Sequence, residues 1–361
     1  MSDVNKRNAV IYKILTDFLE RTGKYNFLPP FSIEEVEILF NTSIWGHREI
    51  VLTIILARLF DPKFKASKNF YSCNPRSIFE KPIRKALREY GVPHRKSGPL
   101  NVAKNTEKIN KDWAANKHEE KIAMTVVGLV KKIEAVPYAE LGKFALAYVA
   151  RYKQEAKRIK EMEIKLEPKE NPIFISKLCI DLVNSVPDGG AIPQMISGLL
   201  MEVKNQDRKC AVEVIGHLDS VSATNTTSKK PGDIVEKITG DSELIYEVTT
   251  KGFTDDRLIE SHESVMVYDK NIKDVFVICR PKDIPETLTT ASNSYIMATT
   301  QYKELAYYFI NIYDFIQSSL LFLTPKSRRL FYSKLVDYVN ETNTSEKVKK
   351  FFKQWHTENL L

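Results

Sequence analysis

An aspartate, a glutamate and a lysine stand at spacings that can bring them together on one short hairpin. Residues 231 to 251 read Pro-Gly-Asp-Ile-Val-Glu-Lys-Ile, then Thr-Gly-Asp-Ser, then Glu-Leu-Ile-Tyr-Glu-Val-Thr-Thr-Lys, which is a strand, a turn and a strand. With Gly240 at the centre of the turn, Asp233 falls opposite Glu247, each seven residues from it. Cross-strand neighbours lie roughly 5 Å apart. Side chains alternate along a strand, so Glu247, Thr249 and Lys251 share one face while Leu244, Tyr246, Val248 and Thr250 take the other. Two carboxylates at that separation can hold a hard divalent cation such as Mg²⁺ through oxygen ligands, and a nearby amine can orient or deprotonate a water for attack on phosphorus. The hairpin is a candidate phosphodiesterase site, to be weighed against an ordinary solvated edge in a chain that is 28% charged.

The elements that position these residues follow from the rest of the chain. At 361 residues and 43% hydrophobic, it can bury cores for two or three domains. The opening residues are polar with no apolar run behind them, and the longest apolar stretch, residues 50 to 57, is too short to span a bilayer, so a cytoplasmic protein without a membrane segment is expected. Cys73, Cys179, Cys210 and Cys279 are widely spaced and read as buried thiols of a reducing compartment.

Charge is concentrated. Between Lys63 and Lys104 stand eleven basic residues and two acidic ones, an excess of nine where the whole chain carries +8. Phe64, Phe70, Tyr71, Phe79 and Tyr90 are interleaved with them. Clustered cations attract a polyanion and release its counterions, the footprint of a nucleic-acid surface. A helix opened by Asn74-Pro75 and closed by Gly91 and Pro93 would put Lys81, Arg84, Lys85 and Arg88 on one face and Ile78, Phe79, Ile83 and Leu87 on the other. Arg76, Ser77, Lys81, Arg84, Lys85, Arg88 and the loop residues His94, Arg95 and Lys96 are the candidate DNA contacts.

Three regions are expected: a mainly helical 1–165 carrying the basic segment 62–104, a mixed 170–290, and a helical 291–361, with a boundary at the charge-dense, proline-stopped stretch 155–170. Periodicity predicts helices near 8–20, 33–40, 47–60, 173–186, 191–204 and 255–267, a buried strand at 274–280, and helices at 307–323, 326–339 and 345–358. The fold class is therefore α+β. His47, His118, His262 and His356 show no catalytic spacing, while His217 with Asp219 is half of an acid/base pair at most. Asp255 and Asp256 suit the first turn of the helix they open.

The hairpin with its flanks, Pro-Gly-Asp233 and then Glu247-Val-Thr-Thr-Lys251, resembles the PD-(D/E)xK nuclease core, a mixed sheet flanked by helices. Asn74-Pro-Arg-Ser-Ile-Phe-Glu-Lys, with Gly91-Val-Pro-His and Ser97-Gly-Pro-Leu-Asn, is similar to a segment of several type II restriction endonucleases. With Leu323-Thr-Pro-Lys-Ser in a helical tail, the layout looks closest to SacI-like enzymes. The resemblance implies a type II restriction endonuclease that cuts double-stranded DNA at a fixed sequence with Mg²⁺, leaves 5′-phosphate ends, acts as a homodimer and is paired with a DNA methyltransferase. It implies Asp233 and Glu247 as metal ligands, with the Val248 carbonyl as a further one, and Lys251 as the catalytic amine. The family pattern usually has its lysine two residues after the second carboxylate, where this chain has Thr249. Lys229 and Lys230 are rivals for that role, and Glu202 is a possible extra carboxylate. A non-catalytic DNA-binding regulator, or a structure-specific repair nuclease of the same core, is the alternative.

Overall fold

The structure is a computed structural model that describes residues 3–21, 23–218, 230–238, 242–285, 288 and 295–359. The chain divides into two compact units, Met1–Glu161 and Met162–Leu361.

The first unit is helical. Its long helices are α1 (Asp3–Glu20), α2 (Ile33–Phe40), α3 (Gly46–Phe60), α4 (Glu120–Ala135) and α5 (Tyr138–Lys160). Ser32 and Glu35 form a capping box that starts α2, each satisfying a backbone N–H that the first turn leaves unpaired. Helix α3 is buried on nearly every side, and beyond its polar first turn its sequence is apolar all round but for Thr53 and Arg58. The basic stretch is helical from Pro75 to Glu89, opened by an Asn74 cap in the left-handed region with Pro75 at the first position. Pro82 has no N–H to give, and the turn Phe79–Ile83 widens around it. Ile78, Phe79, Ile83 and Leu87 are buried, as their spacing predicts.

The second unit is a six-stranded mixed sheet between helices. Its strands are β1 (Val212–Ile215), β2 (Ile234–Ile238), β3 (Ser242–Thr249), β4 (Asp274–Cys279), β5 (Ile296–Tyr302) and β6 (Leu305–Asn311), in the spatial order β1-β2-β3-β4-β6-β5. The β1/β2, β2/β3 and β5/β6 pairs are antiparallel, and β3/β4 and β4/β6 are parallel. Helices α6 (Pro172–Ser185), α7 (Ala191–Asp207), α9 (Ile312–Leu321), α10 (Pro325–Asn340) and α11 (Glu346–Asn359) share a core with Ile234, Tyr246, Val248, Ile278 and Ile310 of the sheet. Val235, Ile245, Val275, Val277, Tyr307 and Phe309 point the other way and pack with Leu258 and Val265 of α8 (Asp255–Tyr268). This strict alternation is the pleat at work.

Two expectations change. The apolar run expected to open a helix at 307 is instead strand β6 up to Asn311, and helix begins only at Ile312. Strand β6 lies between β4 and β5 and is buried on both faces, so its apolar positions carry no alternation to separate it from a buried helix. Strands β1 and β5 were not foreseen at all. Among the described residues no helix is long and apolar enough to cross a membrane.

Candidate active site

The register of the hairpin is the one its numbering predicts: Ile234 pairs with Tyr246, Val235 with Ile245 and Glu236 with Leu244. One step further along, Asp233 N–H also donates to the Tyr246 carbonyl at 2.9 Å, which ties Asp233, immediately before β2, to β3. Its main chain is fixed from three sides. A Cβ on Gly232 would stand 2.8 Å from the Tyr246 carbonyl oxygen, and one on Gly216, whose φ is +99°, would stand 2.3 Å from the Asp233 oxygen. The Gln194 side-chain amide of α7 donates to the Gly216 carbonyl at 2.8 Å and to that of Asp233 at 3.3 Å. Glycine is required where backbones approach this closely.

Asp233 Oδ2 accepts the Val248 N–H at 2.9 Å, which aims its carboxyl along β3. The N–H and C=O of a strand residue point to the same neighbour, so the Val248 carbonyl lies on the Asp233 side of β3. Glu247 is buried, 4% exposed, and accepts from Ser261 Oγ of α8 at 3.2 Å. The two carboxyls are hydrogen-bonded to each other. Burial pushes the pKa of Asp233 up, and burial together with the charge of Asp233 pushes that of Glu247 well above the usual carboxylate range. Two such groups in contact cannot both ionise without a cation, so without one they share a proton.

That arrangement fits a hard divalent ion. Both donors are carboxylate oxygens, the charge pair is destabilised without a counter-cation, and Mg²⁺ is commonly held by only one or two carboxylates, with water and phosphate completing its shell. Among the described residues no group of three or more His, Cys, Asp and Glu side chains gathers at any point, so further ligands would have to come from the main chain, water or substrate.

Lys251 does not extend the strand face as its spacing suggests. Strand β3 ends at Thr249 and the chain bends, with the Thr249 hydroxyl accepting the Lys251 N–H at 3.0 Å and donating to the Lys251 carbonyl at 2.9 Å. The Lys251 side chain is exposed. Arg280 clamps this bend, donating to the Thr250 carbonyl at 2.5 Å while paired with Asp283 at 2.6 Å. Lys230 is half-buried and its charge acts on Asp233, lowering the pKa of that carboxyl. Lys229 and Asp219 lie outside the described residues. Glu202 is committed elsewhere, to Lys334 at 2.9 Å and His217 at 3.5 Å, and sits on α7, which packs on the opposite face of the sheet from Glu247. His217 thus has Glu202 as its carboxylate neighbour, and burial lowers its pKa.

Sequence reasoning missed Arg257 and Ser261, which stand one helical turn apart on α8. Arg257 Nη1 donates to Thr249 Oγ1 at 2.5 Å, and its guanidinium lies 4.9 Å from the centre of the Phe253 ring. The signal was present: on a helix following the hairpin, positions 257 and 261 share a face with Leu258 and Val265 and are its polar exceptions.

In the helical unit, Arg76, Lys81, Lys85, Arg88 and Lys96 are exposed, and Ser77, Arg84 and Arg95 are half-buried. Arg76 pairs with Glu80 at 3.2 Å, Lys85 lies 3.9 Å from Glu89, and Ser77 accepts from Arg7 at 3.0 Å. Arg84 donates to the Lys96 carbonyl at 3.2 Å, bracing the loop from the helix. Arg95 stacks on Trp45 at 4.6 Å, and its N–H donates to Glu49 at 2.6 Å. His94 is buried, 6% exposed, with Nδ1 2.8 Å from the Val92 carbonyl, so it supports the loop instead of facing solvent. His47 and His356 are also buried, and His262 lies 3.0 Å from Glu304. Asp255 and Asp256 stand in the first turn of α8.

Compared with known proteins, the chain matches no family model, and no curated protein matches it.

Proposed function

We propose that this protein is a Mg²⁺-dependent DNA endonuclease with a PD-(D/E)xK core, acting as a type II restriction enzyme on double-stranded DNA. The observation that carries the reading is the buried Asp233–Glu247 pair, two carboxyls in contact at the mouth of a hairpin in a mixed sheet. Nothing in the packing requires two mutually repelling acids there, and burying them costs stability unless a cation is bound. The exposed basic face of residues 81–88 supports a polyanionic substrate.

Asp233 and Glu247 would hold the ion, with the Val248 carbonyl beside them. Mg²⁺ bound there would supply a Lewis acid for the phosphoryl oxygens and lower the pKa of water. The Val248 N–H keeps the Asp233 carboxyl in line with β3, and Ser261 keeps Glu247 from turning away. Water attacks phosphorus as the bond from phosphorus to the 3′ oxygen breaks. Lys251 or Lys230 orients the attacking water, whose proton passes to solvent, and the departing 3′ oxygen gains one from solvent, leaving a 3′-hydroxyl and a 5′-phosphate. A homodimer would cut both strands of a palindrome, and a methyltransferase would protect host DNA.

The test is incubation of wild type and Asp233→Ala with unmethylated phage DNA, with and without Mg²⁺. Discrete fragments that require both Mg²⁺ and Asp233 support the reading. Cleavage governed by branched or damaged structure would reassign the substrate to repair. Intact DNA with binding retained would make the chain a non-catalytic regulator.

A further inference from the structure

Arg257 is an unusual neighbour for two carboxylates. It is half-buried on α8, yet among the described residues it forms no ion pair within 4 Å, and its one side-chain hydrogen bond goes to the neutral hydroxyl of Thr249. Thr249 lies two residues beyond Glu247, on the same face of β3. An arginine present only to offset the carboxyls would be expected to take a direct fork onto one of them, the geometry guanidinium and carboxylate favour. This one stands off. The guanidinium carbon lies 4.9 Å from the centre of the Phe253 ring, and Phe253 is itself 1% exposed and tied by its N–H to the Asp283 carbonyl at 3.1 Å.

The hydrogen-bond inventory sharpens this. The Thr249 hydroxyl donates to the Lys251 carbonyl and accepts from the Lys251 N–H and from Arg257, so it has no donor left to give a substrate. Arg257 has five N–H groups and spends one. Its place is held by a strand and a ring, and among the described residues its remaining donors take no side-chain or main-chain acceptor.

We propose that Arg257 is the phosphate-facing cation of the site, the group that stabilises the charge added to the phosphoryl oxygens during attack. This rests on the endonuclease reading above. It assigns the anion: a phosphodiester whose non-bridging oxygens meet the guanidinium while its phosphorus lies over the Asp233–Glu247 pair. The charge of Arg257 already reaches both carboxyls, lowering the pKa of each. Lys251 and Lys230 are then left to orient the attacking water.

The experiment compares wild type, Arg257→Ala, Arg257→Lys and Asp233→Ala in single-turnover cleavage of phage DNA with Mg²⁺, with DNA affinity and thermal melting measured alongside. Removing one preorganised donor to a developing oxyanion slows such reactions on the order of 10²- to 10³-fold. Arg257→Ala should lose about that much in maximal rate, with DNA affinity changed only a few-fold, and Arg257→Lys should recover about tenfold of it. Guanidinium ion added to folded Arg257→Ala should restore part of the rate. If wild type cleaves and needs Asp233 but Arg257→Ala matches it, Arg257 has no such role and the endonuclease reading stands. A loss confined to affinity, with maximal rate intact, overturns the assignment in the same way. If wild type cleaves nothing, the endonuclease reading fails and this inference with it.

Discussion

Asp233 and Glu247 are partners across the β2/β3 hairpin, hydrogen-bonded through their carboxyls and held in that contact by the Val248 N–H on one side and Ser261 Oγ on the other. Both pKa values are raised, so the folded state binds a proton that the unfolded chain would already have lost. For an acid raised on folding, stability falls as pH climbs from the unfolded pKa towards the folded one. Holding two acids in this position therefore costs the apo protein most at alkaline pH.

The first prediction follows directly. In EDTA at pH 8, Glu247→Gln should melt higher than wild type, because a neutral isostere removes the like charge without emptying the site. Mg²⁺ should stabilise wild type by about 2.7 kcal/mol at a hundred times its dissociation constant and leave the variant unmoved. Thermal melts of both proteins across a Mg²⁺ series decide it. An equal Mg²⁺ response in the two would remove Glu247 from the ligand set.

The second concerns Gly232. Its Cβ position is 2.8 Å from both the Tyr246 carbonyl oxygen and Ile245 Cγ2, and neither backbone nor core can yield cheaply. Gly232→Ala should cost on the order of 1–3 kcal/mol by overpacking. Because Asp233 follows directly, cleavage should fall by more than the loss of folded protein explains. Urea unfolding and specific activity, measured on one preparation, separate the two effects. Unchanged specific activity of the folded fraction would argue that Asp233 tolerates displacement.

How far the chain could be read before folding depended on whether the deciding interactions were local. The hairpin register followed from where one turn fell, since each strand residue has a single partner once the turn is placed. Helices with a local start signal and an apolar stripe, such as 33–40 with its capping box and 255–268 with its acidic first turn, were legible for the same reason. Strand β6 was not, because burial on both faces erased its alternation. Lys251 was misplaced because the end of β3 is set by Arg280 and Asp283, thirty residues downstream, which clamp the bend after it. Arg257 was missed because its partner, Thr249, comes from another element and is uncharged.

The third prediction tests the basic face. Lys81, Lys85 and Arg88 are exposed on the helix between Pro75 and Glu89, while Ile83 and Leu87 anchor its other side. Replacing all three by alanine should leave folding intact and weaken DNA binding uniformly across sequences. The slope of log affinity against log salt should fall by about three if each meets one phosphate. Fluorescence anisotropy at several salt concentrations measures this. An unaltered slope would show that the excess charge of the segment is solvated and has no nucleic-acid partner.

The last prediction lies in the helical unit, where Glu49 is fully buried on α3. Burial raises its pKa from 4.5 to about 7, with the Arg95 N–H at 2.6 Å and the charges of Arg48 and Arg95 holding it from going higher. The folded value lies above the unfolded one, so stability should decline as pH rises from about 4.5 to about 7 and then level off. Integrated over that window the loss is on the order of 3 kcal/mol. Glu49→Gln keeps an oxygen for the Arg95 N–H but cannot ionise. Urea unfolding at pH 5 and pH 8 should therefore show wild type losing stability between the two while the variant loses much less. The same pH dependence in both proteins would mean that Glu49 ionises at its ordinary pKa in the folded state, and that Arg95 and the loop it begins are held by a carboxylate.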